Sequence, residues 1–350
     1  MSDFRSDTVT RPTQAMRLLM SQAEVGDDVY GDDPTVNRLQ DYAAERMGTE
    51  AALFCSSGTQ ANLLAIMAHC QRGDEYICGQ SAHNYRYEAG GAAVLGSVQP
   101  QPIENSADGS LCLNKVQAAI KEDDFHFAQT RLLSLENTIG GRVLPMDYLA
   151  SLPSFVAEHQ LALHLDGARL FNAVVQSGVD ERLLVAPFDS FTICLSKGLG
   201  APIGSLLLGD KRLIERAKRL RKMLGGGMRQ AGIIAAAGQY ALEHHVARLA
   251  EDHANAQLLA EQLAQIEELE CDAHSVQTNV VYARCRHQQS FALAEYLAER
   301  GIFVTAGTPI RFLTHLDVNQ QDIKQLIGAI KAFYAESAAV ISNNTARPMN

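Results

Sequence analysis

Apolar residues fall in short runs over the first two thirds of the chain and in longer helical stripes after that. "DEYICG", "TRLLSLENT", "LALHLDGA" and "SFTICLS" are each of strand length, and each ends in turn or polar residues. Between them lie stretches of helical spacing such as "MDYLASLPSFVAEH". "DDPTVNRLQDYAAERMG" predicts a helix with Asp33 as its cap and Pro34 in the first position. Val36, Leu39, Tyr42 and Ala43 make its apolar stripe, and Gly48 ends it. "AALFCSSGTQANLLAIMAH" reads as a strand, a tight polar turn and a helix. This βαβα rhythm predicts an α/β fold whose mostly parallel sheet is covered on both faces. Ligands of such sheets bind beyond the carboxyl ends of the strands, so the polar residues after each run carry the functional signal.

Near residue 245 the pattern changes. "GIIAAAGQYALEHHVARLAEDHANAQLLAEQLAQI" reads as one long Ala/Leu-rich helix, followed by strand, helix, strand and helix in "TNVVYAR", "SFALAEYLAERG", "IRFLTHL" and "NQQDIKQLIGAIKAFY". The expected division is a large domain over 1–245, a smaller C-terminal α+β domain over 246–335 and a frayed tail over 336–350.

Composition narrows the class. With 350 residues, 47% hydrophobic and 20% charged, the chain is long and apolar enough for a sizeable core, which excludes wholesale disorder. A net charge of −10 argues against nucleic acid or anionic membranes as partners. No stretch approaches the roughly 18 consecutive apolar residues of a spanning helix. "MSDFRSDTVTRP" carries neither a signal-peptide apolar region nor a lipidation motif. Seven cysteines stand singly with no CxxC, the usage of reduced thiols. A soluble cytoplasmic protein is expected.

Candidate chemistry begins with Lys197 in "TICLSKGLGAPIGSLLLG", between strand-like runs at Phe191–Leu195 and Gly204–Leu208. An ammonium is costly in such apolar surroundings, so a chemical use for the amine, or a snorkelling hairpin lysine, must explain it. After "AALFC", Ser56, Ser57, Gly58 and Thr59 feed a helix N-terminus, where free N–H groups and the helix dipole favour a phosphate. Taken alone, that turn could equally be a plain helix cap. After "LALHL" comes Asp166 at a strand end, with Arg169 three residues on. The acidic run Glu24, Asp27, Asp28, Asp32 and Asp33 is broken by Gly26, Gly31 and Pro34, which makes it a turn and helix start, and no catalytic metal is expected.

The order phosphate turn, aspartate, lysine resembles that of the fold-type-I enzymes that use pyridoxal 5′-phosphate (PLP). In that family a strand-end aspartate pairs with the cofactor's ring nitrogen, and a lysine about thirty residues downstream forms the Schiff base; here 31 positions separate Asp166 from Lys197. Gly198, Gly200 and Gly204 would let the backbone approach a flat cofactor. "DFRSDTVTRPT", "EVGDDVYGDDPTVNRLQ", "SSGTQANLLA", "LENTIGGRVLP", "HLDGARLFNA", "LSKGLGAPIGS" and "RKMLGGGMRQAG" together resemble the low-specificity L-threonine aldolase family over roughly residues 1–335. The resemblance implies retro-aldol cleavage of L-threonine, L-allo-threonine and related β-hydroxy-α-amino acids to glycine and an aldehyde. It also implies homotetramers whose active sites are shared between subunits.

Residue roles follow from the resemblance. Ser57, Gly58 and Thr59 would hold the cofactor phosphate, and Asp166, Arg169 and Lys197 the rest of it. Arg169, Arg311 and Ser6 would take the substrate carboxylate; an arginine fork suits that planar clamp. His83 would lie over the cofactor ring, His126 would contact the substrate side chain, and either would serve as the base for the β-hydroxyl proton, directly or through water, with His83 preferred. Tyr87 would line the substrate pocket with Tyr30 near it, though both also suit packing. Lys222 and Arg229 sit in a glycine-rich cationic loop that reads equally as a contact to a neighbouring subunit's cofactor or substrate, or as a subunit-contact loop. The alternatives are another PLP reaction on the same fold (transamination or β-elimination) or a non-catalytic PLP-binding protein. A histidine on the ring face favours the aldolase over the former, and the absence of a basic DNA-binding module argues against the latter.

Overall fold

The structure, a computed structural model, describes residues 1–345. Its residues form two compact units, one spanning Arg11–Ala247 and the other joining Met1–Thr10 to the chain from Arg248 onward. Strands are numbered along the chain, β1 being Ser2–Asp3 of the second unit.

The first unit is built on β2 (Ala51–Cys55), β3 (Glu75–Gly79), β4 (Gln99–Ile103), β5 (Thr130–Glu136), β6 (Ala162–Asp166), β7 (Ser190–Cys194) and β8 (Ser205–Gly209). They form one sheet in the order β2-β8-β7-β6-β5-β3-β4. From β7 to β4 every pairing is parallel, as the βαβα rhythm predicts, while β8 runs antiparallel to both β7 and β2. The short link from β7 to β8 allows only a hairpin return, since a parallel neighbour needs a crossover of a dozen or more residues. Lys197 lies in that hairpin. One consequence is that the carboxyl ends of β2, β5, β6 and β7 open on the same edge, with Cys55 and Cys194 both opposite Ser205 and Glu136 opposite Asp166.

Local sequence explains the helices that matter. Asp33 caps the helix Pro34–Met47, accepting from the N–H groups of Thr35 and Val36, and Gly48 closes it in the left-handed region at φ 72°. Such a cap stabilises by about 1 kcal/mol. Ser57 caps the helix Gly58–His69 by accepting from the Gln60 N–H. Residues 61–68 of this helix are all buried, which is why its sequence is apolar all round rather than striped.

In the second unit, β1 pairs in parallel with β11 (Ile302–Phe303), and β10 (Val280–Cys285) lies between β9 (Leu269–Glu270) and β12 (Ile310–Leu313). Phe4, Ile310 and Phe312 are wholly buried in its core, with helices Leu249–Leu263 and Gln320–Thr345 packed around them. The expected domain division changes accordingly. Residues 1–10 join the second unit, not the first, because the Ser2–Ile302 and Asp3–Phe303 pairings and the burial of Phe4 tie them there. The expected tail is also corrected: helix continues to Thr345, and residues 346–350 lie outside the described residues.

The long helix expected across residue 245 is two, Gly232–His244 and Leu249–Leu263, and the units divide in the gap between them. His245 ends the first by turning its ring inward, where Nδ1 lies 2.7 Å from the carbonyl oxygen of Leu199. Arg248 opens the second with an ion pair to Asp252 one turn on. Among the described residues no helix is long and apolar enough to cross a membrane.

Candidate active site

The carboxyl edge of the sheet gathers five titratable side chains. Asp166, the last residue of β6, is 2% exposed. Its Oδ2 accepts from the Asn62 amide at 2.7 Å, and its Oδ1 accepts from the Ala168 N–H at 3.0 Å. The same Asn62 nitrogen donates to Glu88 Oε1 at 2.8 Å, while Asn62 Oδ1 accepts from the Thr192 hydroxyl at 3.2 Å. Two acceptors on one side and a donor on the other fix which way this amide points. Glu88 Oε1 in turn lies 2.8 Å from Nδ1 of His83.

His83 opens a four-residue helix, His83–Arg86, just after β3, and its backbone N–H donates to Glu136 Oε2 at 2.8 Å. Two acids therefore hold it, Glu88 by the ring and Glu136 by the backbone. The hydrogen bond to Glu88 raises the imidazole's pKa above its usual range; burial opposes the rise, Asp166 and the Glu88 charge add to it, and Lys197 opposes it. Burial pushes Glu136 up to about 7, reinforced by Asp166 on the adjoining strand and offset by the His83 N–H, by Lys197 and by the His83 charge. Glu88 is raised by burial, against the pull of His83. Lys197 joins this group electrostatically, and its amine makes no hydrogen bond or ion pair among the described residues.

An anionic, electrophilic cofactor fits the donors left over. The Gly58 and Thr59 N–H groups have no partner among the described residues. Close to Gly58, the buried hydroxyl of Ser205 is also without one. A helix N-terminus with two free amides, an orphaned hydroxyl and a free amine on the same sheet edge suits a phosphate-bearing aldehyde such as PLP. His83, Glu88 and Asp166 also present ligand atoms within 4.8 Å of one another. Here Asn62 occupies both carboxylates and the ring proton occupies the space between His83 and Glu88, so the trio is a hydrogen-bond chain.

Each of the other expected residues has its own setting. Arg169 occupies the N-cap position of the helix Leu170–Ser177, just after Asp166, with no capping hydrogen bond from its side chain. Tyr87 is exposed, its ring 5.6 Å from that of His83, and Tyr30 is exposed on a turn. His126 is exposed in a loop, where Asp124 accepts from its ring at 2.5 Å and Phe125 stacks on it at 3.9 Å. Arg229 pairs with Asp27 at 2.9 Å. Lys222 lines a cationic cavity of about 260 Å³ with Lys218, Arg219 and Arg221. Ser6 and Arg311 belong to the second unit. There Ser6 caps the turn Asp7–Val9, and Arg311 is exposed on β12 between buried Ile310 and Phe312. Two of the hairpin glycines have steric reasons of their own. Gly200 sits at φ 77° in a turn closed by its N–H to the Lys197 carbonyl, and a Cβ on Gly204 would meet the Phe54 ring at 2.5 Å. Their work is to shape the hairpin that carries the lysine.

Asn62, Glu88, Glu136 and Thr192 were missed as site residues. Glu136 was open to discovery by the strand-end rule applied to "LENT". Nothing local in "GTQAN" or "RYE" marks Asn62 or Glu88.

The chain belongs to the beta-eliminating lyase family, whose profile matches residues 3–309. Within it stand the low-specificity L-threonine aldolases, carbon–carbon lyases. A "Low specificity L-threonine aldolase" from Escherichia coli is 57% identical over 335 residues, covering 96% of this chain and all of that one. A "Probable low-specificity L-threonine aldolase 2" from Arabidopsis thaliana is 42% identical over 343 residues, 95% of this chain and 97% of that one. A threonine aldolase structure from Leishmania major superposes with a TM-score of 0.80 at 20% identity, covering 95% and 99% of the two chains. The fold expected from the sequence, that of type I PLP enzymes, is the fold observed.

Proposed function

We propose that this chain is a PLP-dependent aldolase that cleaves L-threonine, L-allo-threonine and related β-hydroxy-α-amino acids to glycine and an aldehyde. The observation that carries the proposal is the chain Asp166–Asn62–Glu88–His83 beside the unpartnered amine of Lys197. When bound, the cofactor supplies an electron sink for the pair left on Cα as the Cα–Cβ bond breaks. Lys197 would hold it through its amine, and Ser57, Gly58 and Thr59 would hold its phosphate. Asp166, buried and anchored by Asn62 and the Ala168 N–H, would keep a negative charge against the ring nitrogen.

The protein must then take one proton, that of the β-hydroxyl. His83 is the base proposed for it. Its Nδ1 proton is committed to Glu88, which leaves Nε2 as the basic nitrogen. Arg169, with Ser6 and Arg311 on the resemblance alone, would bind the substrate carboxylate. Tyr30, Tyr87, His126, Lys222 and Arg229 are proposed to border the substrate and cofactor, in part from a neighbouring subunit of a homotetramer. A cytoplasmic location fits the reduced cysteines, all seven of which are free thiols.

The test supplies PLP to the purified protein and follows acetaldehyde release from L-threonine by a coupled alcohol dehydrogenase. Absence of acetaldehyde overturns the proposal. Pyruvate from L-serine in its place would move the chain to β-elimination, the reaction its family is named for.

A further inference from the structure

We propose that Glu88 is the positioning residue for the reaction: its carboxylate accepts the Nδ1 proton of His83 and, through the Asn62 amide, couples that ring to Asp166, so that Nε2 is the nitrogen that exchanges protons. The inference rests on the aldolase reading above and adds to it a residue to which neither motif nor resemblance assigned a role.

Three features of the geometry carry it. Glu88 is 7% exposed, so its charge is spent on protein donors, not on water. It has two such donors, the His83 ring at 2.8 Å and the Asn62 amide at 2.8 Å, and both reach the same oxygen, Oε1. The Asn62 nitrogen is also the donor to Asp166 Oδ2, so a single amide stands between the carboxylate proposed for the ring nitrogen and the carboxylate that orients the base. An ionised Glu88 has no proton to give, and the His83 tautomer is therefore set with the proton on Nδ1. Nε2 has no partner among the described residues. The side chain of His83 is 37% exposed, open enough to meet a substrate from the solvent side.

His83 is faced by Glu88, Asp166 and Glu136, by the ammonium of Lys197 and by the ring of Tyr87. Of these only Glu88 touches the ring nitrogen, and its hydrogen bond is the largest influence raising the imidazole. Removing that charge while keeping the shape should therefore lower the histidine's titration point, on the order of one pH unit for loss of an adjacent opposite charge. Asp166 and Lys197, which remain, act in opposite directions.

The experiment compares the cofactor-loaded enzyme with its Glu88→Gln variant by two readouts. The first is the pH profile of kcat/KM for L-threonine, whose acid limb reports the base that must be neutral. The second is the pH dependence of diethylpyrocarbonate modification of the peptide containing His83, read by mass spectrometry, which reports the same titration without catalysis. Glu88→Gln should move both by roughly one unit to lower pH and leave the urea midpoint near that of the parent. In a His83→Asn background the same substitution should no longer move the acid limb. A limb and a modification profile that stay in place in Glu88→Gln overturn the inference. So does a fall in urea midpoint with both profiles unmoved, which would make Glu88 a structural acid. Lack of acetaldehyde release by the parent enzyme overturns the aldolase reading instead, and the modification profile still decides whether Glu88 governs His83.

Discussion

Two buried histidines should contribute about 3–4 kcal/mol of lost stability on acidification from pH 7 to pH 5. His69 Nε2 and His164 Nδ1 lie 2.7 and 2.8 Å from one hydroxyl, that of Ser190. A hydroxyl donates one proton and accepts others, so it can satisfy both rings while both are neutral. Protonating either puts a charge into a site without a counter-ion in contact. Burial lowers His69 to about 4, and burial together with His69 lowers His164 to about 3. In the unfolded chain both titrate near 6.5. The sign follows: between pH 6.5 and pH 4 the unfolded state binds more protons, so stability is full above the unfolded value and falls as the pH drops below it. At pH 5 the loss is about 2 kcal/mol per ring, and about 0.2 of that is already present at pH 7. The measurement is the urea midpoint at intervals from pH 7 to pH 5, for the parent and for His164→Leu. The leucine variant gives up one hydrogen bond, but it also removes Nε2, a buried nitrogen with no partner, and with it one of the two titrations. Its stability should therefore fall by about 2 kcal/mol less than the parent's between pH 7 and pH 5. Equal pH dependence in the two proteins would refute the reasoning, since every other titrating group is common to both.

Other expected outcomes are more direct. Borohydride reduction of the cofactor-loaded protein, followed by peptide mapping, should place the pyridoxyl group on Lys197; label on another lysine removes the assignment. Arg311→Lys should lower kcat/KM for L-threonine by about ten- to two-hundred-fold, the loss of a charge-assisted hydrogen bond of roughly 1.5–3 kcal/mol, while bound cofactor stays near normal. Unchanged kcat/KM excludes the carboxylate role. Gly204→Ala should lower the urea midpoint by the equivalent of about 2–3 kcal/mol, because its Cβ would lie 2.5 Å from the Phe54 ring at a backbone φ of 113°. A midpoint within experimental error of the parent would contradict the packing argument.

What the sequence exposed was whatever is encoded within a few residues. Asp33, Pro34 and Gly48 mark both ends of the helix Pro34–Met47 to the residue, because each acts on backbone groups of its own turn. The strand-end rule located Asp166, and its distance from Lys197 along the chain equals one βαβ crossover and the turn that follows. Long-range pairings left no such trace. Nothing in "SDF" announces a partner three hundred residues away, so the first ten residues were assigned to the wrong unit. The break after His244 was missed for a related reason. It depends on the buried ring of His245 reaching the carbonyl of Leu199, with no glycine or proline to mark it. Asn62 on its helix and Glu88 in the bend after His83–Arg86 were overlooked because amides and acids in such places are common on solvated faces, and only the folded sheet edge turns these two inward.

The helix Gly58–His69 shows why the site and the acid-sensitive pair belong to one mechanical problem. Its N-terminus offers the free amides of Gly58 and Thr59, its second turn offers Asn62 to both carboxylates, and its last residue, His69, is bonded to Ser190 on β7. His164, the other ring on Ser190, stands on β6 two residues before Asp166 and on the same face of the strand. One hydroxyl thus ties the far end of the helix Gly58–His69 to the two strands that present Asp166 and lead into Lys197. A buried polar tie of this kind is a weak source of stability but a strict one of register, since sliding the helix by one residue would leave Nε2 of His69 without its partner in a buried site, while Ser190 and His164 on the strands kept each other. The sheet edge that carries Asp166 is thus tied at its spacing by a bond made at the other end of the helix, and charging either histidine strains that tie.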